Sequence, residues 1–183
     1  IICRGEGEDA IVELAEKMEK KKDYTNILNL WIKKGDKIFK NELRQLIENL
    51  DTVPFTDFTD NNKVYISEDK ITGRMDDIKS SNIEFKYCYP IMTSRGCLYS
   101  CTYCCNSYLR SLYKDKGKYT RRRSVKNVIE ELKIAKENFK SLNGVTFGDD
   151  VFAFDYEWLK DFIVEYKKHI NLPFFNMINP KLV

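Results

Sequence analysis

Cys97, Cys101 and Cys104 stand in a C-x3-C-x2-C run, with Leu98, Tyr99 and Ser100 in the first gap and Thr102 and Tyr103 in the second. Thiolates are soft ligands suited to zinc and to iron–sulfur clusters. Three of them at this spacing reach one cluster and leave one iron without a protein ligand. Structural zinc instead prefers two ligand pairs separated by a spacer. No second pair exists, and the only histidine, His169, lies far along the chain. The C-x2-C-x2-C run of bacterial ferredoxins, with a further cysteine near a proline, is also absent. A disulfide framework does not suit a lysine-rich chain of 183 residues that shows no signal pattern. Cys105 follows Cys104 directly, so a C-x3-C-x3-C register stays open. Cys3 and Cys88 lie in apolar strands and are expected to pack there as small hydrophobes.

The elements around these residues have an α/β rhythm. The spacing predicts a strand over 87–93, the cysteine loop, a helix over 125–139, a strand over 145–147, a helix over 156–168 and a strand over 174–178. Such alternation calls for a parallel sheet with helical crossovers. Val128, Leu132, Ala135 and Phe139 make the apolar stripe of the first helix, with Ser124 as its N-cap; Leu159, Phe162, Ile163 and Tyr166 make that of the second. Functional groups in this kind of fold gather at the carboxyl ends of the strands. The cysteine loop follows the first strand, and Gly148-Asp149-Asp150 closes the second. A glycine that exposes backbone carbonyls and two acids that lower the local potential suit a cationic ligand. The bland alternative is an Asp-rich turn that caps the next helix. Asn179 and Pro180 follow the third strand and could line the same face.

The first 52 residues read as strand, turn, helix, hairpin and helix. Gly5 and Gly7 permit a tight Arg4-Gly5-Glu6-Gly7-Glu8 turn before a helix whose apolar face is Ile11, Leu14 and Met18. The hairpin flanks Lys34-Gly35, and Leu43, Leu46, Ile47 and Leu50 predict a short amphipathic helix. Residues 53–85 are polar and read as a linker. Thirty-one basic against 28 acidic residues leave a net charge of +3, too small to argue for nucleic acid or a membrane surface. The run Arg110, Lys114, Lys116, Lys118 and Arg121 to Arg123, interleaved with Tyr108, Tyr113 and Tyr119, keeps an RNA-binding reading open. More ordinarily it is a solvated segment, or one that neutralises anionic cofactor groups. No apolar run approaches the roughly 20 residues of a membrane span, and a cytoplasmic location is expected. Ile1 and Val183 both read as cuts from something longer.

The C-x3-C-x2-C run resembles the ligand pattern of radical S-adenosylmethionine enzymes, and Tyr103 sits where that family places an aromatic before its third cysteine. The resemblance implies that Cys97, Cys101 and Cys104 hold a 4Fe-4S cluster whose open iron is chelated by S-adenosylmethionine. An electron from the cluster then releases a 5'-deoxyadenosyl radical. It also implies that Tyr103 contacts the adenine region and that Gly148, Asp149 and Asp150 hold the methionine amino group. They stand where the family carries a Gly-Gly-Glu-type motif; Asp-Asp followed by Val151-Phe152 is similar to the cobalamin-linked subgroup. The Arg4–Glu8 turn, the hairpin and the exit Leu50-Asp51-Thr52-Val53-Pro54-Phe55 resemble the end of a cobalamin-binding domain. The axial-histidine motif Asp-x-His-x-x-Gly of that domain is not in this chain, which leaves cobalamin open.

The implied fold is α/β: the first three units of a partial TIM-type (βα) barrel over 86–183, preceded by a linker over 53–85 and a Rossmann-like cobalamin-binding remnant over 1–52. The implied activity is cobalamin-dependent methyl transfer or oxidative cyclisation on a small-molecule or peptide substrate, with flavodoxin or ferredoxin as electron donor and no nucleic acid. The alternatives are a tRNA-modifying radical methylthiotransferase and a non-catalytic metal-binding module. Half a barrel leaves a sheet edge open, so the chain alone is expected to be poorly stable and inactive.

Overall fold

A computed structural model describes residues 1–57, 63–67, 69–72, 88–139 and 142–179. Parts of the expected linker, Tyr87 at the start of the first core strand, and Pro180 lie outside them. The chain divides into two units: Ile1–Val53 with Arg95–Arg121, and Pro54–Ser94 with Arg122–Val183. The cysteine segment therefore groups with the amino-terminal residues, which chain order alone does not suggest.

In the first unit, β1 (Ile2–Cys3), β2 (Leu30–Lys34) and β3 (Lys37–Lys40) form an antiparallel sheet in the order β1-β2-β3. The hairpin turns at Gly35, whose φ of +59° is the left-handed conformation glycine adopts without strain. Helix α1 (Glu8–Glu19) carries Glu8 and Asp9 in its first turn and Lys17 in its last, each complementing the helix dipole. Its buried residues are Ala10 and Leu14, packed with Ile27, Leu30 and Ile32. Ile11 and Met18, expected on that face, are 61% and 55% exposed. The stripe is shifted because the sheet meets the helix at Ala10 and Leu14. Cys3, expected to pack, is exposed on edge strand β1.

The expected helix over 43–50 does not form; only a short 3-10 turn, Leu50–Thr52, appears. Its backbone donors are taken by tertiary partners. Arg44 N–H donates to Asn29 Oδ1 at 2.7 Å, Leu46 N–H to the Lys116 carbonyl at 2.7 Å, and Ile47 N–H to Glu6 Oε2 at 2.8 Å. Leu43 and Leu46 still bury, but against Tyr113. Short helices have a costly nucleus, and three strong alternative acceptors outweigh the weak local preference. Helix α2 (Cys105–Leu112) completes this unit.

In the second unit, β4 (Tyr65–Ser67) and β5 (Lys70–Thr72) make a hairpin. The main sheet, β6 (Cys88–Ile91), β9 (Gly144–Phe147) and β10 (Phe174–Phe175), is parallel in the order β10-β9-β6. Helices α3 (Val125–Asn138) and α4 (Tyr156–His169) cover it. Two-residue strands β7 (Ser94–Arg95) and β8 (Arg121–Arg122) pair where the chain changes unit. Ser124 caps α3 as read, its hydroxyl accepting from Asn127 N–H at 3.1 Å. Val128, Leu132 and Ala135 are buried on α3. On α4 the seam is Trp158, Leu159, Phe162 and Tyr166, while Ile163 is 40% exposed. Phe162 is fully buried, stacked on Trp158 and edge-on to Phe147. Burying a phenylalanine stabilises by about 1.5–3 kcal/mol, so this aromatic group anchors α4 to the sheet. The third strand ends at Phe175, earlier than the apolar run to Ile178 suggests, and β10 lies at the sheet edge. No helix among the described residues is long and apolar enough to cross a membrane.

Candidate functional site

The carboxyl end of β6 leads through Met92, Thr93 and Ser94 into the cysteine segment. Cys97 is buried, Cys101 and Cys104 are half-buried, and none is in a disulfide. Each position has a local cause. The Cys97 carbonyl accepts from Thr120 Oγ1 at 3.2 Å and from the Arg110 guanidinium. Cys104 N–H donates to the Cys101 carbonyl at 3.1 Å, closing a turn. Cys104 is then the N-cap of α2, at the positive end of the helix dipole.

Two of the sulfurs already receive donors: Tyr99 N–H points at Cys97 Sγ at 3.4 Å, and Asn106 Nδ2 at Cys104 Sγ at 3.6 Å. Asn106 is itself held by Tyr119, whose hydroxyl donates to its Oδ1 at 2.7 Å. Tyr103 is 91% exposed. The nearby Cys101 thiolate, by its charge and then by its hydrogen bond, pushes the Tyr103 phenol above its ordinary value, with a smaller push from Cys104. Tyr103, Cys101 and Cys104 are thus near neighbours. Cys105 is exposed in the first turn of α2.

Among the described residues no three His, Cys, Asp or Glu side chains converge on a point that could hold one metal ion. The thiolates of a 4Fe-4S cluster each bind a different iron, so such a set does not need a common point. Three unbridged thiols on one short segment, two of them facing N–H donors, have the chemistry of that donor set.

The Gly148–Asp150 turn lies in the other unit. Gly148 N–H donates to the Ile91 carbonyl at 2.9 Å. Asp149 is fully buried, and its carboxylate accepts from Thr93 N–H at 3.1 Å and Thr93 Oγ1 at 2.9 Å, and from the Ser94 hydroxyl. It therefore braces the end of β9 against the exit of β6. Asp150 is exposed, and no hydrogen bond or ion pair engages its carboxylate among the described residues. Neither acid caps α4. That role falls to Asp155, whose side chain accepts from Trp158 N–H at 3.1 Å. The capping alternative fails because the helix starts six residues beyond Asp150.

The basic run is divided: Lys114, Lys118 and Tyr108 are exposed, whereas its three consecutive arginines are engaged within the chain. Arg121 is ion-paired to Glu6 at 2.9 Å and only 5% of its side chain is exposed. Arg122 lies over Phe154 and Trp158, at 3.9 and 4.2 Å from the ring centroids, and burial pulls its guanidinium down to about 10 against the opposing charges of Asp149 and Asp155. Arg123 pairs with the buried Glu131 at 2.5 Å. Tyr113 is buried, its hydroxyl accepting Glu6 N–H at 2.7 Å. The Gly5 turn is thereby filled by the chain itself. His169 sits at the end of α4, 3.2 Å from Glu165. Sequence reasoning missed Thr93, Ser94, Arg95 and Arg121 as partners of the acids. Their pairings span 55 to 115 residues, and no local pattern encodes them.

No protein-family model matches the chain. Over 152 residues it is 32% identical to a protein of Pyrococcus horikoshii described as an uncharacterized methyltransferase, a stretch that is 83% of this chain and 28% of that protein. Its fold is similar to that of OxsB, a cobalamin-dependent S-adenosylmethionine radical enzyme solved with aqua-cobalamin and S-adenosylmethionine bound, with a TM-score of 0.63 at 18% identity over 94% of this chain and 22% of that one. It is also similar to TsrM of Kitasatospora setae, a radical S-adenosylmethionine methyltransferase solved with cobalamin and a 4Fe-4S cluster, with a TM-score of 0.53 at 15% identity over 91% of this chain and 29% of that one. The mixed α/β fold thus matches that of cobalamin-dependent radical S-adenosylmethionine enzymes. The chain spans less than a third of the length of each of these proteins.

Proposed function

We propose that this chain is the cluster-binding part of a radical S-adenosylmethionine enzyme, with Cys97, Cys101 and Cys104 as ligands of a 4Fe-4S cluster. The observation that carries the reading is the unbridged cysteine trio with N–H donors on two of its sulfurs. Such donors stabilise thiolate charge and tune a cluster. When bound, the cluster supplies the electron for reductive cleavage of S-adenosylmethionine. The chain's own part is to present the thiolates, to offer the exposed Tyr103 ring to the adenine region, and to receive the methionine ammonium. For that last task Asp150 is the carboxylate with open acceptors, beside the exposed backbone at Gly148, while Asp149 shapes the turn. Neither a positive φ nor crowding within the chain requires glycine at 148, where an added Cβ would make only ordinary contact with Met92.

The sheet β6-β9-β10 with its helices is read as the opening of a (βα) barrel over 86–183, and residues 1–52 as the end of a cobalamin-binding domain. For the whole protein, the likeness to OxsB and TsrM and the match to a methyltransferase favour cobalamin-dependent methyl transfer. The axial-histidine motif is not in this sequence, whose single histidine, His169, pairs with Glu165, so the cobalamin reading rests on the likeness of the fold to OxsB and TsrM. The tRNA-modifying reading is not favoured, since Arg121, Arg122 and Arg123 are engaged internally.

Anaerobic reconstitution with iron and sulfide tests the proposal. About four irons per chain are expected, lost in each of Cys97→Ala, Cys101→Ala and Cys104→Ala and kept in Cys105→Ala. Zinc in place of iron, or iron lost in Cys105→Ala but kept in Cys104→Ala, contradicts the ligand assignment. With the cluster loaded, Asp150→Asn is expected to weaken S-adenosylmethionine binding without changing iron content.

A further inference from the structure

The three cysteines lie within Arg95–Arg121, the one segment from the second half of the chain that joins the amino-terminal unit. Both ends of that segment converge on a single side chain. Glu6 Oε1 accepts from Arg95 Nη1 at 3.0 Å and from Arg121 Nη1 at 2.9 Å. Its other oxygen accepts Ile47 N–H at 2.8 Å, its backbone N–H donates to Tyr113 Oη at 2.7 Å, and its carbonyl accepts from Asn29 Nδ2 at 2.5 Å. Every polar atom of Glu6 is thus committed, and only 14% of its side chain is exposed. Beside this junction the chain closes on itself. Gly96 has φ of +79°, and a Cβ there would lie 2.5 Å from the Tyr119 carbonyl oxygen. Thr120 Oγ1 donates to the Cys97 carbonyl at 3.2 Å.

We propose that Glu6 is a positioning residue for the cysteine segment, one carboxylate that bridges two arginines and so holds the base of the segment shut; the inference rests on the cluster reading above. Two guanidinium cations within 3.0 Å of one oxygen repel each other once that oxygen loses its charge. Opening the base frees Cys97, the ligand nearest to it, to move relative to Cys101 and Cys104. Cluster iron then becomes accessible while all three ligands are still present. Glu8 offers a contrast, because among the described residues it pairs with Arg95 and does not reach Arg121.

The test uses the protein purified anaerobically and reconstituted with iron and sulfide. Release of iron to a chelator is followed by absorbance, and the reduced cluster is examined by electron paramagnetic resonance. Glu6→Gln is expected to speed iron release by about tenfold, the order expected for one lost charge-assisted hydrogen bond, and to broaden the cluster signal. Glu6→Asp, which keeps the charge, is expected to recover part of the loss, and Glu8→Gln to change release by about twofold or less. Should circular dichroism show that Glu6→Gln is unfolded, Arg95→Gln opens one end only and is expected to speed release as well. Folded Glu6→Gln or Arg95→Gln protein with wild-type release and an unchanged signal overturns the clamp alone. A wild-type protein that takes up no iron overturns the cluster reading, and the inference with it.

Discussion

Asp149→Asn replaces a fully buried acceptor with a side chain of the same shape. The carboxylate takes two hydroxyl donors, from Thr93 and Ser94, on one oxygen and shares the Thr93 N–H between both. An asparagine can keep its carbonyl toward the hydroxyls. Its NH2 must then face the Thr93 N–H, and charge assistance is lost from the remaining bonds. Hydrogen bonds to a charged group contribute about 1.5–3 kcal/mol, so the expected loss is roughly 2–3 kcal/mol. For a chain of this size that corresponds to a melting temperature lower by about 4–12 °C. Urea unfolding read by Trp158 fluorescence measures it, in a background where Trp31, whose indole N–H has no hydrogen-bond partner among the described residues, is replaced by phenylalanine. Trp158 is stacked on Phe162 in the core of the same unit, with ring centroids 4.9 Å apart. Asp150→Asn, at the exposed neighbour, is expected to stay within about 0.5 kcal/mol of wild type. An Asp149→Asn protein that unfolds at the wild-type urea midpoint would refute the bracing role.

Two further outcomes concern the first unit. Gly5→Ala is expected to destabilise it by about 3 kcal/mol or more, measured by chemical unfolding. The φ of +76° alone costs an alanine about 1–2 kcal/mol, and the new Cβ would fall 1.5 Å from Tyr113 Oη, displacing the acceptor of Glu6 N–H. In the pH dependence, the hydrogen bond from Lys17, with Arg44 behind it, outweighs desolvation and holds the Glu13 carboxyl below its ordinary 4.5. Its folded pKa lies beneath its unfolded one, so the stability it contributes is complete above pH about 4.5 and fades as pH falls through the lower folded value. Because 35% of the side chain is exposed, the effect is under about 1 kcal/mol. Glu13→Gln is expected to flatten that acid limb, and an unchanged pH profile would show that the pair contributes nothing.

Local chemistry made a good part of this protein readable from its residues. The helices at 125 and 156 were legible because an apolar period of 3.6 and a serine cap act within a few residues, and the parallel sheet followed from the alternation of strands with those helices. The cysteine run was legible as a candidate cluster site because its three cysteines lie within eight positions of one another and thiolates have few other uses at that spacing. What depended on distant partners was not legible. Residues 43–47 look helical by pattern, yet Asn29, Lys116 and Glu6 take their backbone donors. Asp149 and Asp150 are indistinguishable as neighbours, and only the approach of Thr93 and Ser94 makes one a buried brace and leaves the other open to solvent. The arginines from 121 to 123 read as surface charge until folding supplies Glu6, Phe154 and Glu131. Spacing and side-chain type determine what a short segment can bind or cap; which charges are neutralised, and which donors are already spent, is decided by tertiary structure, because those partners meet only when the chain has folded.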